Sequence, residues 1–185
     1  MYGLSIVIQS IFFTSFLLVS SSQFPELIIG EEKVQPGIIF IFEGAVKDNI
    51  YPNSLHLPES ETDVHIEARV NWSNNKIPKG AVPGGFIPYL HITALLENSK
   101  TGLKTFVDLK PHINLIDNFH YARNISLPGS IKDRYDIQFN ISPPSNIKLA
   151  LHNDWIEKYG KNLLNKYTFS YKGVNFEQIA NSSRK

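Results

Sequence analysis

A chain of 185 residues with a formal net charge of +1 and scattered Lys and Arg suits one domain with a sizeable core and carries no basic footprint for nucleic acid. It has no cysteine, which excludes disulfides and thiolate metal sites and leaves imidazole, carboxylate or backbone oxygen to hold any metal. HExxH helices, Gly-x-Ser-x-Gly elbows, phosphate loops and dinucleotide fingerprints are also missing, so the usual enzyme signatures are absent.

Leu4 to Val19 (LSIVIQSIFFTSFLLV) is almost wholly apolar and is followed by Ser20, Ser21 and Ser22. Its length suits the core of a secretory signal peptide and falls short of the roughly 20 apolar residues that a membrane span needs. Residues 1–21 therefore read as a signal peptide cleaved after Ser21, with an uncleaved N-terminal anchor as the alternative because no Lys or Arg precedes the run. Residues 22–36 read as a connector, 37–177 as the folded domain and 178–185 as a C-terminal tail.

Ile38 to Phe42, set between Pro36-Gly37 and Gly44, predicts the first strand, and Asp48 to Ser60 a proline-rich loop. Asp63 to Trp72 (DVHIEARVNW) alternates cleanly, so that His65 and Glu67 project from the same polar face, one pleat repeat apart. Phe86 to Leu96 and Lys104 to Leu109 flank the turn residues Asn98 to Gly102 and predict a hairpin. Further strands are predicted at His120 to Leu127, Arg134 to Ile141, Ile147 to His152 and Tyr167 to Tyr171, with Asp154 to Leu164 a loop or one short helix. Short strands separated by turn signals predict an all-β protein, an immunoglobulin-like antiparallel β-sandwich.

The chemistry concentrates in Lys110 to Tyr121 (KPHINLIDNFHY), where His112 and His120 flank Asp117. His65 has Glu67 on its own face, and His152 stands beside Asp154 just after a predicted strand. His56, in a proline-rich loop, and His91, among apolar residues, read as ordinary half-buried histidines. Imidazole and carboxylate ligands meeting at one point suit Cu(II), Zn(II), Ni(II) or Fe(II). Asn-x-Ser sequons at Asn71, Asn124, Asn140 and Asn181 matter only in an organism that glycosylates exported proteins.

The ordered set DVHIEA (Asp63 to Ala68), GGFIPYLHI (Gly84 to Ile92), ENSKTG (Glu97 to Gly102), HYARN (His120 to Asn124), LPG (Leu127 to Gly129), Pro143-Pro144 and HND (His152 to Asp154) resembles the periplasmic high-affinity iron-transport protein family. These are small copper- and iron-binding periplasmic proteins, a treponemal membrane antigen among them, that work beside an iron permease. The resemblance implies an immunoglobulin-like sandwich, a homodimer with a metal site near its interface, and a membrane iron permease as partner. The family's His-x-Glu falls on His65 and Glu67, its Asp and His-Tyr pair on Asp117 and His120, and its later His on His152. Its Met-Pro-Met ligand run aligns with Lys110-Pro111-His112, with one extra residue before His120, so that His112 stands where the family carries a methionine. Thioether sulfur favours Cu(I), whereas imidazole and carboxylate favour Cu(II), Zn(II) or Fe(II), so a weakened Cu(I) preference is expected.

The chain is therefore expected to be an exported, non-enzymatic protein binding copper and iron, with manganese or zinc as possible substitutes. His65, His112, His120 and His152 are the expected imidazole ligands, and Glu67 and Asp117 the carboxylates. A copper oxidase or dismutase-like enzyme on the same sandwich, and a structural surface domain without a metal, are the competing readings.

Overall fold

The computed structural model describes residues 25–184, so the apolar segment read as a signal peptide or anchor lies outside the described residues. The strands are β1 (Glu26–Val34), β2 (Ile38–Ala45), β3 (Val64–Trp72), β4 (His91–Asn98), β5 (Lys104–Asn114), β6 (Asn118–Ile125), β7 (Tyr135–Ser142) and β8 (Tyr167–Val174), with short helices α1 (Asn153–Tyr159) and α2 (Glu177–Ala180). Every pairing is antiparallel, in the order β1-β2-β3-β6-β5-β4-β7-β8.

β5 is where the sheet changes layers. Its residues up to Leu109 pair with β4, and those from Lys110 onward pair with β6. The two halves of the sheet close on one core, built from alternating residues of each strand: Phe40 and Phe42, Ile66 and Ala68, Ala94 and Leu96, Ile137 and Phe139. Phe42 of β2 stacks on Phe139 of β7 at a centroid separation of 4.1 Å, tying one half to the other. The outermost strands also meet, since the Tyr171 hydroxyl donates to Glu32 at 3.0 Å. Gly30 permits that approach, because a Cβ there would lie 2.1 Å from the Tyr171 ring. Tyr121 carries a hydroxyl into the core and satisfies it by donating to the Ile87 carbonyl at 2.8 Å and accepting from the Leu90 N–H at 3.0 Å.

Three expectations need correction. Most of the expected connector is regular structure: Glu26–Val34 pairs along β2 as an edge strand, its charged Glu31 and Lys33 facing out. Ile147 to His152 is not a strand. β8 takes the outer edge of β7, leaving that stretch no partner, and the Ser145 carbonyl instead accepts from Lys148 and Leu149 in a turn that leaves Ile147 98% exposed. β5 runs on to Asn114 rather than stopping at Leu109, which puts His112 on a strand. Among the described residues, no helix is long and apolar enough to cross a membrane.

Candidate metal centre

The centre forms on the outer face of the β2-β3-β6-β5 half, opposite the core. With Val64, Ile66, Ala68 and Val70 turned inward, His65, Glu67 and Arg69 must point out. The register then gathers polar partners from three neighbouring strands: Glu67 lies opposite Glu43 on β2, His65 opposite Asn124 on β6, and His120 opposite His112 on β5. This face is not open to solvent. Residues of the β2–β3 loop, including Asp48 to Pro52 and His56, together with Arg184, wall a cleft of about 460 Å³ that contains His65, His112 and His120. His65, Glu67 and His120 are 2%, 3% and 1% exposed.

Hydrogen bonds set which imidazole nitrogens are free. His65 Nδ1 lies 2.7 Å from the Asn124 side-chain oxygen and His120 Nδ1 lies 3.0 Å from the Asn118 carbonyl. Both partners only accept, so each Nδ1 carries the proton and each Nε2 keeps its lone pair. Those two Nε2 atoms converge on Glu67 Oε1, at 3.5 Å from His65 and 4.0 Å from His120. His112 Nε2 is buried without a hydrogen-bond partner. One ligand atom from each of His65, His112 and His120 falls within 4.8 Å of the others.

Protonation follows from burial. Desolvation lowers His65 to a pKa of about 4 and His112 to about 3, and it lowers His120 as well, so all are neutral lone-pair donors at neutral pH. Desolvation, reinforced by the nearby carboxylates of Asp117 and Glu43, raises Glu67 to about 8. Neutral imidazoles around a carboxyl that resists ionising form a donor set awaiting positive charge. Nitrogens sharing one ion at bond lengths of about 2.0–2.1 Å can lie no more than about 4.2 Å apart, so a side-chain adjustment of about half an ångström brings these three onto a metal.

The other expected ligands are placed differently. Asp117, in the β5–β6 turn, accepts from Asn114 Nδ2 at 2.8 Å and lies 3.8 Å from Arg69, whose guanidinium grips Glu43 in a two-pronged bond of 2.5 and 2.6 Å. It therefore borders the cluster through Arg69 instead of joining the three histidines. His152 is exposed at the N-terminal end of α1. α1 packs Trp155 against Trp72, their rings 6.5 Å apart, at the end of β3 opposite His65, some 23 Å away at a strand rise of about 3.3 Å per residue. His91 is exposed, with its Nε2 3.5 Å from an Asp108 carboxylate oxygen.

Two residues at the cleft carry no signal in the sequence as site residues. Asn124 orients His65 and also donates its amide to the carbonyls of Asp48 and Leu57, at 2.8 and 3.0 Å, pinning the loop that roofs the site. Its sequon is thus spent inside the fold. His56 comes from that loop, where nothing in the spacing links it to the other histidines, and its ring lies 5.0 Å from that of His112.

An eight-stranded antiparallel protein with a roofed, imidazole-lined cleft has the features of a metal-binding protein. Residues 23–177 match the family described as Fe2+ transport protein, and the chain belongs to that family. It is similar to FetP of uropathogenic Escherichia coli, with 26% identity and a TM-score of 0.66 over 83% of this chain and 100% of that one. It is likewise similar to a copper-bound methionine-to-isoleucine variant of Campylobacter jejuni P19, with 27% identity and a TM-score of 0.67 over 80% of this chain and 96% of that one. The UPF0423 protein of Brucella abortus is 26% identical over 86% of this chain and 89% of its own length. A 34 kDa membrane antigen of Treponema pallidum is 30% identical over 52% of this chain and 46% of its own.

Proposed function

We propose that the chain is an exported metal-binding protein that takes up copper and iron and supports iron passage through a membrane permease, without catalytic turnover of its own. The observation that carries this is the convergence of His65, His112 and His120 ligand atoms within 4.8 Å, beside a carboxyl that burial keeps protonated. Membership of the Fe2+ transport family and similarity to copper-bound P19 support the choice of metals. When bound, copper would supply a fixed positive charge that lets Glu67 ionise. The residues proposed to hold it are His65, His112, His120 and Glu67, with Asp117 shifting from Arg69 to accept a harder ion such as iron, or manganese in its place. Zinc fits the same imidazole set.

His152 enters the proposal through the expected homodimer. It is remote from the cleft of its own chain and exposed, so it would serve as a ligand only from a second copy. The strand order β2-β3-β6-β5 over β4-β7-β8 is consistent with the ABED and CFG sheets of an immunoglobulin-like sandwich, and the N-terminal apolar run with an export signal. The test is ferrous-iron uptake by cells of the parent organism lacking this chain and complemented with either the wild type or a His65→Ala/His112→Ala/His120→Ala variant. The wild type is expected to restore uptake and the variant not; equal restoration by both would refute the role.

A further inference from the structure

We propose that His56, from the loop between β2 and β3, is a fourth imidazole ligand of the cleft, closing the bound ion from the solvent side. The inference rests on the metal-binding reading above and deepens it by assigning a donor that neither the histidine spacing nor the three-histidine cluster supplied. Three observations carry it. First, His56 lines the same cleft as His65, His112 and His120. Its ring stands 5.0 Å from His112, nearer than His112 is to His65 (5.3 Å) or to His120 (5.9 Å). Second, His56 Nδ1 is buried and has no hydrogen-bond partner, and the same is true of His112 Nε2. Two orphaned imidazole nitrogens in neighbouring rings are costly unless something binds both, and a cation with a preference for nitrogen does so. Third, the loop is held in place. Asn124 donates to the carbonyls of Asp48 and Leu57 while accepting from His65, so one side chain fixes both the roof and a floor ligand.

The chemical consequence concerns which ions are held. The cysteine-free chain has a single methionine, Met1, and among the described residues none lining the cleft carries sulfur. A fourth imidazole gives it the nitrogen-rich donor set that suits Cu(II) and Zn(II), beside the buried Glu67 carboxyl 3.5 Å from His65.

The test uses the purified full-length chain, Cu(II) alone as the probe, and pulsed electron paramagnetic resonance to count coordinated imidazoles, alongside competition titration for affinity. Wild type is expected to show one more imidazole than His56→Ala and His56→Gln, and both variants to bind Cu(II) at least about tenfold more weakly. Thermal unfolding of the metal-free proteins accompanies the titration; melting points matching wild type show that the loss is one of ligation. Unchanged spectra and affinity in both variants, with binding abolished by His65→Ala, would overturn the role of His56 and leave the cleft itself standing. No Cu(II) uptake by the wild type would overturn both.

Discussion

Replacing Glu67 by Gln should make the metal-free protein more stable and the metal-binding protein worse. Glu67 is 3% exposed, and burial together with Asp117 and Glu43 raises its carboxyl to about 8 from an ordinary 4.5. From pH 4.5 to 8 the folded chain keeps a proton that the unfolded chain has released, so stability falls as pH rises across that window. At pH 7 the gap of 2.5 units between 4.5 and 7 corresponds to about 3 kcal/mol. Glutamine matches the protonated carboxyl in shape and does not titrate, so it escapes this loss. Urea denaturation of the metal-free proteins is therefore expected to give a gain of about 2–3 kcal/mol at pH 7, shrinking towards zero below pH 4.5. Binding of an ion must expel the Glu67 proton, and calorimetry at pH 7 in buffers of different ionisation enthalpy should find about one proton released per ion in wild type and none in the variant. A Gln variant no more stable than wild type at pH 7, or proton release unaltered by the substitution, would refute the reasoning.

The buried histidines predict sensitivity to acid. His65 is held at about 4 against 6.5 when unfolded, so its contribution is whole above pH 6.5 and is lost as pH falls towards 4; its share of the loss in a pH series of unfolding curves should be about 3 kcal/mol in the Glu67→Gln background, whereas in wild type Glu67 offsets most of that share, because the unfolded chain regains the Glu67 proton as pH falls from 8 to 4.5. Arg69→Ala strands the 1%-exposed Glu43 without its cation and should cost about 3–5 kcal/mol in urea denaturation, with Glu43→Gln added to it recovering part of that loss. Tyr121→Phe leaves the Leu90 N–H and the Ile87 carbonyl unpaired in the core and should cost about 1–3 kcal/mol in the same assay. His112→Met introduces a thioether and should raise Cu(I) affinity relative to Cu(II) by about tenfold or more in paired competition titrations; an unchanged ratio would remove His112 from the ligand set.

Alternation alone makes part of the site legible in the sequence. A period of two puts His65 and Glu67 on one face. The pairing of His112 with His120 is not legible in the same way, because the apolar alternation of β5 stops at Leu109, where the strand leaves β4 for β6, and the layer change within the strand leaves no mark in composition. β1 resembles a linker because an edge strand bearing Glu31, Glu32 and Lys33 has a linker's polarity, and Ile147 to His152 resembles a strand because local pattern says nothing about whether an edge is free to pair. His56 reaches the cleft through a loop of irregular structure, and no periodicity encodes where such a loop folds back.

Isothermal titration of the full-length chain with Cu(II) at pH 7, set against the His65→Ala/His112→Ala/His120→Ala variant, decides whether these histidines hold a metal. The wild type is expected to bind saturably at one ion per cleft, with proton release traceable to Glu67, and the variant not to bind. Equal binding by both proteins would contradict that expectation.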